Sequence, residues 1–377
     1  MLAQRVDVPR ASVLRWGLPY LRGFLRVWGV ALLVSVGGCK TEPAAISSEA
    51  SVAPFTAHLV LDHVRTISPE FTPESILRFP DNIHFDTKGH LIWDEGSPPV
   101  RVFDAEGGFI RTFGHPGAGP GELGRFIRLT IGPNGYFYVL DGTQRRVSVF
   151  TPDYEFAYSF PMDTGFVEQV AIDSQGNLLQ LRESWWTDVR PAVVTHDTTG
   201  VLLAGWGEIP FSARVQVNLG GGGLVVDAQD NVYYGWISDH RIWKTDSEGT
   251  LLAVFDDKPA YYKGPDIGRL EGLDGKGSGE LMGYFMQGGI THVLALILVP
   301  EKQLLFQHFV VPGRRIPFEV WHTDGFKIAT DVQAPGSLIY ADSDFLYLVN
   351  RADEEDENPP ILVYEYRLEQ EDAVVAP

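Results

Sequence analysis

The chain has 377 residues, 44% of them hydrophobic, with 40 glycines, 25 prolines and a formal net charge of −19. That composition supports a large core, and its many glycines and aromatics suit short strands and tight turns. So acidic a surface repels phosphate backbones and argues against nucleic-acid binding. A single cysteine excludes any intramolecular disulfide framework.

Residues 1–38 read as a leader rather than as fold. Arg5, Arg10, Arg15, Arg22 and Arg26 precede a ten-residue apolar run, residues 27–36, which is too short to span a bilayer. Small residues then lead into Cys39, the pattern of a signal peptide. The arrangement resembles a bacterial lipobox, which implies that Cys39 is the lipidated first residue of the mature chain. Lys40 stands where an aspartate would retain the protein at an inner membrane, so the resemblance implies the outer membrane. Residues 1–38 carry five arginines and one aspartate, so their removal takes the net charge from −19 to −23. Residues 39–56 are small, polar and proline-bearing and read as a flexible tether.

From residue 57 to residue 368 the pattern is short strands between turns. Residues 57–65 alternate and form the first strand. Residues 109–160 hold one complete unit. Tyr136-Phe137-Tyr138-Val139-Leu140 is wholly apolar and bounded by Pro133-Asn134-Gly135 and Asp141-Gly142, which predicts a strand buried on both faces. Val147 and Val149 alternate with polar neighbours and predict a half-exposed strand, and Phe156, Tyr158 and Phe160 an outer one. The turn before the buried strand recurs as Asp86-Thr87-Lys88-Gly89, Asp173-Ser174-Gln175-Gly176 and Asp227-Ala228-Gln229-Asp230, and more weakly at residues 300–303 and 341–344. A second turn recurs at Asp104-Ala105-Glu106-Gly107, Asp197-Thr198-Thr199-Gly200, Asp246-Ser247-Glu248-Gly249 and Thr323-Asp324-Gly325. Six units of about four strands predict an all-β, six-bladed β-propeller of four-stranded antiparallel blades. The last unit supplies three strands, so the strand at residues 57–65 is expected to close the sixth blade from outside.

Gly114-His115-Pro116-Gly117-Ala118-Gly119-Pro120-Gly121-Glu122-Leu123, followed by residues 132–139 and 141–150, resembles an NHL repeat. The chain is therefore similar to the NHL-like six-bladed propeller lipoproteins of bacteria. That resemblance implies a fold and leaves the activity open. Gly119–Gly124 also matches G-x-G-x-x-G, but Pro120 and the strand that follows spoil the strand-to-helix context a dinucleotide needs. No G-x-S-x-G, P-loop, H-E-x-x-H, EF-hand or C-x-x-C motif occurs.

Two segments break the period. Residues 256–289 form an insertion whose Met282, Tyr284, Phe285 and Met286 could cover a pocket or pack on a blade. Residues 353–357 are an acidic run read as a solvated hairpin tip, with cation binding as the alternative. Residues 369–377 read as a tail.

The remaining chemistry lies where polar residues enter the innermost strands. The candidates are Asp81, Asn82, His84, Arg128, Glu168, Gln169, Thr291 and His292, with Gly221–Gly223 and Ser337 in the other two units. The favoured expectation is a monomeric scaffold, tethered by lipid alone, that binds an envelope protein, peptide or glycan at the mouth of the channel. The alternative is a calcium-dependent hydrolase or lyase, as in lactonase-like propellers, with Asp81 and Glu168 as metal ligands beside His292.

Overall fold

The computed structural model describes residues 54–70, 72–73, 82–162, 167–182, 191–207, 222–266, 268–269, 289–313, 316–350 and 359–370. All of them belong to one compact unit, Ala45–Pro377. The leader, most of the tether and the acidic run at 353–357 fall outside the described residues, as do Met282, Tyr284, Phe285 and Met286.

Six four-stranded antiparallel sheets make up the fold. The chain begins with β1 (Ala57–Ile67). Blade I contains β2 (Asn82–Phe85), β3 (Leu91–Asp94), β4 (Val100–Phe103) and β5 (Phe109–Phe113). Blade II contains β6 (Ile127–Ile131), β7 (Phe137–Asp141), β8 (Arg146–Phe150) and β9 (Phe156–Pro161). Blade III contains β10 (Val167–Ile172), β11 (Leu178–Arg182), β12 (Val193–His196) and β13 (Leu202–Trp206). Blade IV contains β14 (Gly223–Val226), β15 (Val232–Gly235), β16 (Ile242–Thr245) and β17 (Leu251–Phe255). Blade V contains β18 (His292–Val299), β19 (Leu304–Val310), β20 (Pro317–His322) and β21 (Lys327–Gln333). Blade VI contains β22 (Ser337–Ala341), β23 (Phe345–Val349) and β24 (Ile361–Gln370), and β1 pairs with β24 as its fourth strand. The ring is thus closed by its first strand, as expected, and β24 runs slightly past residue 368.

The hairpins repeat one device. In six of the turns the opening aspartate, Asp86, Asp104, Asp173, Asp197, Asp227 or Asp246, accepts N–H bonds from the residues two and four positions on. Asp173 Oδ1 takes Gln175 N at 2.9 Å and Asn177 N at 2.7 Å, and Asp246 Oδ1 takes Glu248 N at 3.0 Å and Thr250 N at 2.8 Å. Such a turn needs a left-handed residue at its fourth position, usually glycine. Asp230 (φ 60°) and Tyr154 (φ 65°) adopt that conformation without being glycine. Tyr154 is held by its hydroxyl, which donates to Asp86 and lies 2.6 Å from His90 Nδ1. The second hairpin brings a register shift in five blades, at Val102/Phe103, Val149/Phe150, Thr195/His196, Lys244/Thr245 and Val320/Trp321.

Each seam between neighbouring blades holds its own apolar cluster. Phe137 and Val139 pack with Ile92, Val100 and Phe113 between blades I and II. Tyr138 and Leu140, the alternate residues of the same strand, pack with Leu178 between blades II and III. That is why the middle strands read as unbroken apolar runs. It also corrects the expectation for β8. Ser148 is fully buried between Val147 and Val149, because the third strand, like the second, has a blade on either side. The Gly-rich segment is an inter-blade loop, as its sequence context implied. Arg146 Nη2 donates to Gly119 O and Glu122 O, and the buried Asp141 accepts Gly124 N at 2.6 Å.

These turns separate backbone strain from packing. A Cβ on Gly249 (φ 86°) would lie 2.4 Å from Trp206 Cγ in the neighbouring blade, whereas one on Gly89 (φ 79°) would meet nothing within 4 Å. Gly89→Ala is expected to cost about 1–2 kcal/mol, the left-handed penalty alone. Gly249→Ala adds overpacking, for a total of about 3 kcal/mol or more in urea unfolding.

Candidate functional site

The innermost strands β2, β6, β10, β14, β18 and β22 surround the axis and enclose a cavity of about 480 Å³. That volume suits one small ligand. The cavity is not centred on the channel. It is lined by residues 129–131, 169–172, 224–226, 296–299 and 339–341, which are the closing halves of their strands. Pro300, Glu301, Asp342 and Ser343 of the inner hairpins also line it. The mouth therefore lies on the face that carries the hairpins between first and second strands.

The wall mixes apolar and polar surface in about equal measure, its apolar part including the half-buried side chains Ile131, Ile172, Val226 and Leu298. Each inner strand has a partner on one edge only. The bonded pairs Asp86–His90, Gly132–Tyr136, Asp173–Asn177 and Asp227–Asn231 close four of the inner hairpins. Antiparallel ladders alternate bonded and non-bonded pairs. One residue back, Phe85, Ile131, Ile172 and Val226 thus turn their own peptide groups toward the axis. A wall of aliphatic side chains and axis-facing peptide groups can hold an apolar body and still answer a polar group.

Four of the inner strands bring a described polar side chain to the wall. His84 on β2 lines the cavity, with Nε2 sealed from solvent and lacking a partner among the described residues. Burial lowers its pKa from 6.5 to about 4, so the ring is neutral near pH 7. Gln169 and Thr130 line the wall, and Tyr340 stands near the mouth. Burial and then the carboxylates of Asp342 and Glu301 push the Tyr340 hydroxyl up, so both carboxylates are felt at the wall.

Of the residues singled out in the sequence, His84 and Gln169 meet in the cavity. Asn82, Arg128, Glu168, His292 and Ser337 stand at or next to the starts of their strands, and Thr291 immediately precedes β18, all toward the opposite end of the channel. Arg128 Nη1 donates to Ile127 O there. Asp81, Gly221 and the side chains of Asn82 and Glu168 lie outside the described residues. Thr130, Tyr340, Glu301, Asp342 and Ser343 escaped the sequence reading because they close the inner strands instead of opening them. The recurring turn aspartates were the available signal. Among the described residues no group of three or more His, Cys, Asp or Glu side chains is placed to hold a metal ion.

A second polar cluster lies between blades IV and V. Glu319 on β20 is fully buried and meets Lys327 Nζ at 3.0 Å, Tyr261 Oη at 2.7 Å and Asp331 N at 2.9 Å. Lys327 also donates to Asp257 O at 2.7 Å, and Tyr262 donates to Ser238 O at 2.7 Å. The start of the 256–289 insertion is thereby pinned into the seam. Glu319 Oε1 takes both hydrogen bonds and Oε2 faces the Lys327 ammonium as an ion pair, so the cluster is an anchor.

Two outcomes follow from this geometry. Between pH 6.5 and about 4 the unfolded chain binds a proton at His84 that the native chain refuses, so stability falls as pH falls through that window. The His84 ring should stay neutral by NMR down to about pH 4, and His84→Gln should flatten that part of the stability profile. Lys327→Met strands the Glu319 carboxylate and should cost about 3–5 kcal/mol by chemical denaturation, part of which Glu319→Gln restores.

Residues 46–310 match the family DUF5128, described as a 6-bladed beta-propeller. No curated protein matches the chain. Among solved structures, an exported protein from Bacteroides fragilis is similar at 14% identity and a TM-score of 0.60, covering 82% of this chain and 95% of its own. A member of the duf4221 family from Bacteroides vulgatus is similar at 13% identity and a TM-score of 0.61, covering 83% and 99%. At such identities the likeness is one of fold.

Proposed function

This chain belongs to the DUF5128 family of six-bladed β-propellers, and we propose that it is a membrane-tethered binding scaffold of the cell envelope that holds its ligand in the mouth of its central channel. The observation that carries this reading is the axial cavity of about 480 Å³, lined by aliphatic side chains and polar groups together and open on the inner-hairpin face. The leader, Cys39 and the tether at 39–56 support export followed by lipid anchoring, with the outer membrane as the destination. The exported Bacteroides protein of like fold agrees with export. The NHL-like pattern of blade II supports a lineage of bacterial propeller lipoproteins. Among the described residues the lining offers the neutral His84 imidazole, the Gln169 amide and the Thr130, Tyr340 and Ser343 hydroxyls beside the carboxylates of Glu301 and Asp342, groups suited to holding a ligand.

The test has two arms. Cys39→Ser should move the protein from the membrane fraction to the soluble fraction, and unchanged membrane association would overturn the anchor. Mature protein incubated with envelope extract should carry a bound species in native mass spectrometry. Thr130→Trp, which narrows the cavity, should lose that species, and its retention would overturn the channel as the site.

A further inference from the structure

The cavity and its rim differ in character, and the difference points to a ligand class. The wall offers half-buried aliphatic side chains beside uncharged polar groups, while the rim is acidic. Five of the six inner hairpins carry a carboxylate at or near the turn: Asp86, Asp173, Asp227, Glu301 and Asp342. Their first oxygens are largely spent on turn geometry, as when Asp342 Oδ1 accepts Asp344 N at 2.8 Å and Phe345 N at 2.7 Å. The negative charge remains on that face. Glu301 differs from the rest. It sits exposed on a single 3-10 turn, Pro300–Lys302, and makes no hydrogen bond or ion pair among the described residues.

Nothing basic compensates within the cavity. No Lys or Arg lies among its described lining residues. The two lysines of the inner hairpins are committed elsewhere. Lys88 Nζ binds Asp153 Oδ1 and Pro152 O, each at 2.8 Å, and Lys302 Nζ lies 4.4 Å from the Tyr366 ring centre. Among the described lining residues, the His84 imidazole is held neutral by burial and adds no positive charge. An anion entering this mouth meets uncompensated repulsion. A neutral lipid gains from the wall alone. A cation with an apolar body gains from both, with its head half-hydrated at the rim and its body desolvated below.

Resting on the channel reading above, we infer that the cavity takes a small organic cation, an amine or guanidine carried on an aliphatic body. The body lies against Ile131, Ile172, Val226 and Leu298, and the head meets Glu301 and Asp342. Glu301 is the selectivity residue, because its carboxylate is the one at the rim without a turn to hold.

Isothermal titration of the mature full chain with n-octylamine, n-octanol and octanoate at low ionic strength tests this. Octylamine should bind about tenfold more tightly than octanol, octanoate should be the weakest, and added salt should erase the amine's advantage. Glu301→Gln should weaken octylamine several-fold and leave octanol unchanged. If octanol or octanoate binds as tightly as octylamine, or Glu301→Gln leaves octylamine unaffected, the cation inference is overturned while channel binding stands. If none of the three binds, or if binding survives both Thr130→Trp and the rim variant Ser343→Trp, the channel reading itself fails and takes this inference with it. Two occluding variants at different depths guard against the misfolding of either, and retained thermal cooperativity identifies the usable one.

Discussion

Burial of strands on both faces is the constraint on which the rest of this molecule depends. No blade can cover its own apolar surface, since a four-stranded sheet has two faces and alternate residues go to each. Leu305 and Trp321 of blade V turn to Tyr233 and Phe255 of blade IV, while Phe306 and Val320 turn to Leu338 and Leu346 of blade VI. Each seam is thus a shared core, and the ring is stable only when every seam is filled. Closure follows from that demand. If β1 did not pair along β24, the sixth blade would expose both a strand edge and part of the cluster that holds Ala57 and Tyr366.

The same constraint decides where polar groups may sit. Inside a seam a charge must be paired, as Glu319 is by Lys327, since an unpaired buried charge is costly. The turns are the natural place for charge, and the repeat puts an aspartate there to fix the backbone. Because every inner hairpin lies on one face of the ring, a local turn device becomes a global electrostatic feature. The acidic rim around the cavity is a by-product of how the hairpins are made, and Glu301 is the member that escapes turn duty.

The insertion after blade IV obeys the same logic at its start. Asp257, Tyr261 and Tyr262 bind Lys327, Glu319 and Ser238, so the segment leaves the ring from a fixed point. What begins as an interruption of the period is, over its first residues, part of the seam.

Much of the architecture was legible in the chain itself. Asp-x-x-Gly turns specify their own hydrogen bonds, and an apolar run such as Phe137–Leu140 between two turns has few alternatives to a strand buried on both faces. Six such units, the last lacking its fourth strand, call for closure by the strand at residue 57. These features are local, and local chemistry is what a sequence displays. The face of each strand was less legible. Val147-Ser148-Val149 looks half-exposed until a blade stands on either side, because a seam is made by residues far apart in sequence. The cavity was the least legible part. Its lining comes from the closing halves of six strands, and nothing within any one unit marks which end of the channel is wide. His84 and Gln169 could be proposed as axial from their position in a repeat. That they share a space with Thr130, Glu301 and Asp342, and that His84 is neutral there, was decided by the closed ring, which alone brings those strands together and removes their side chains from water.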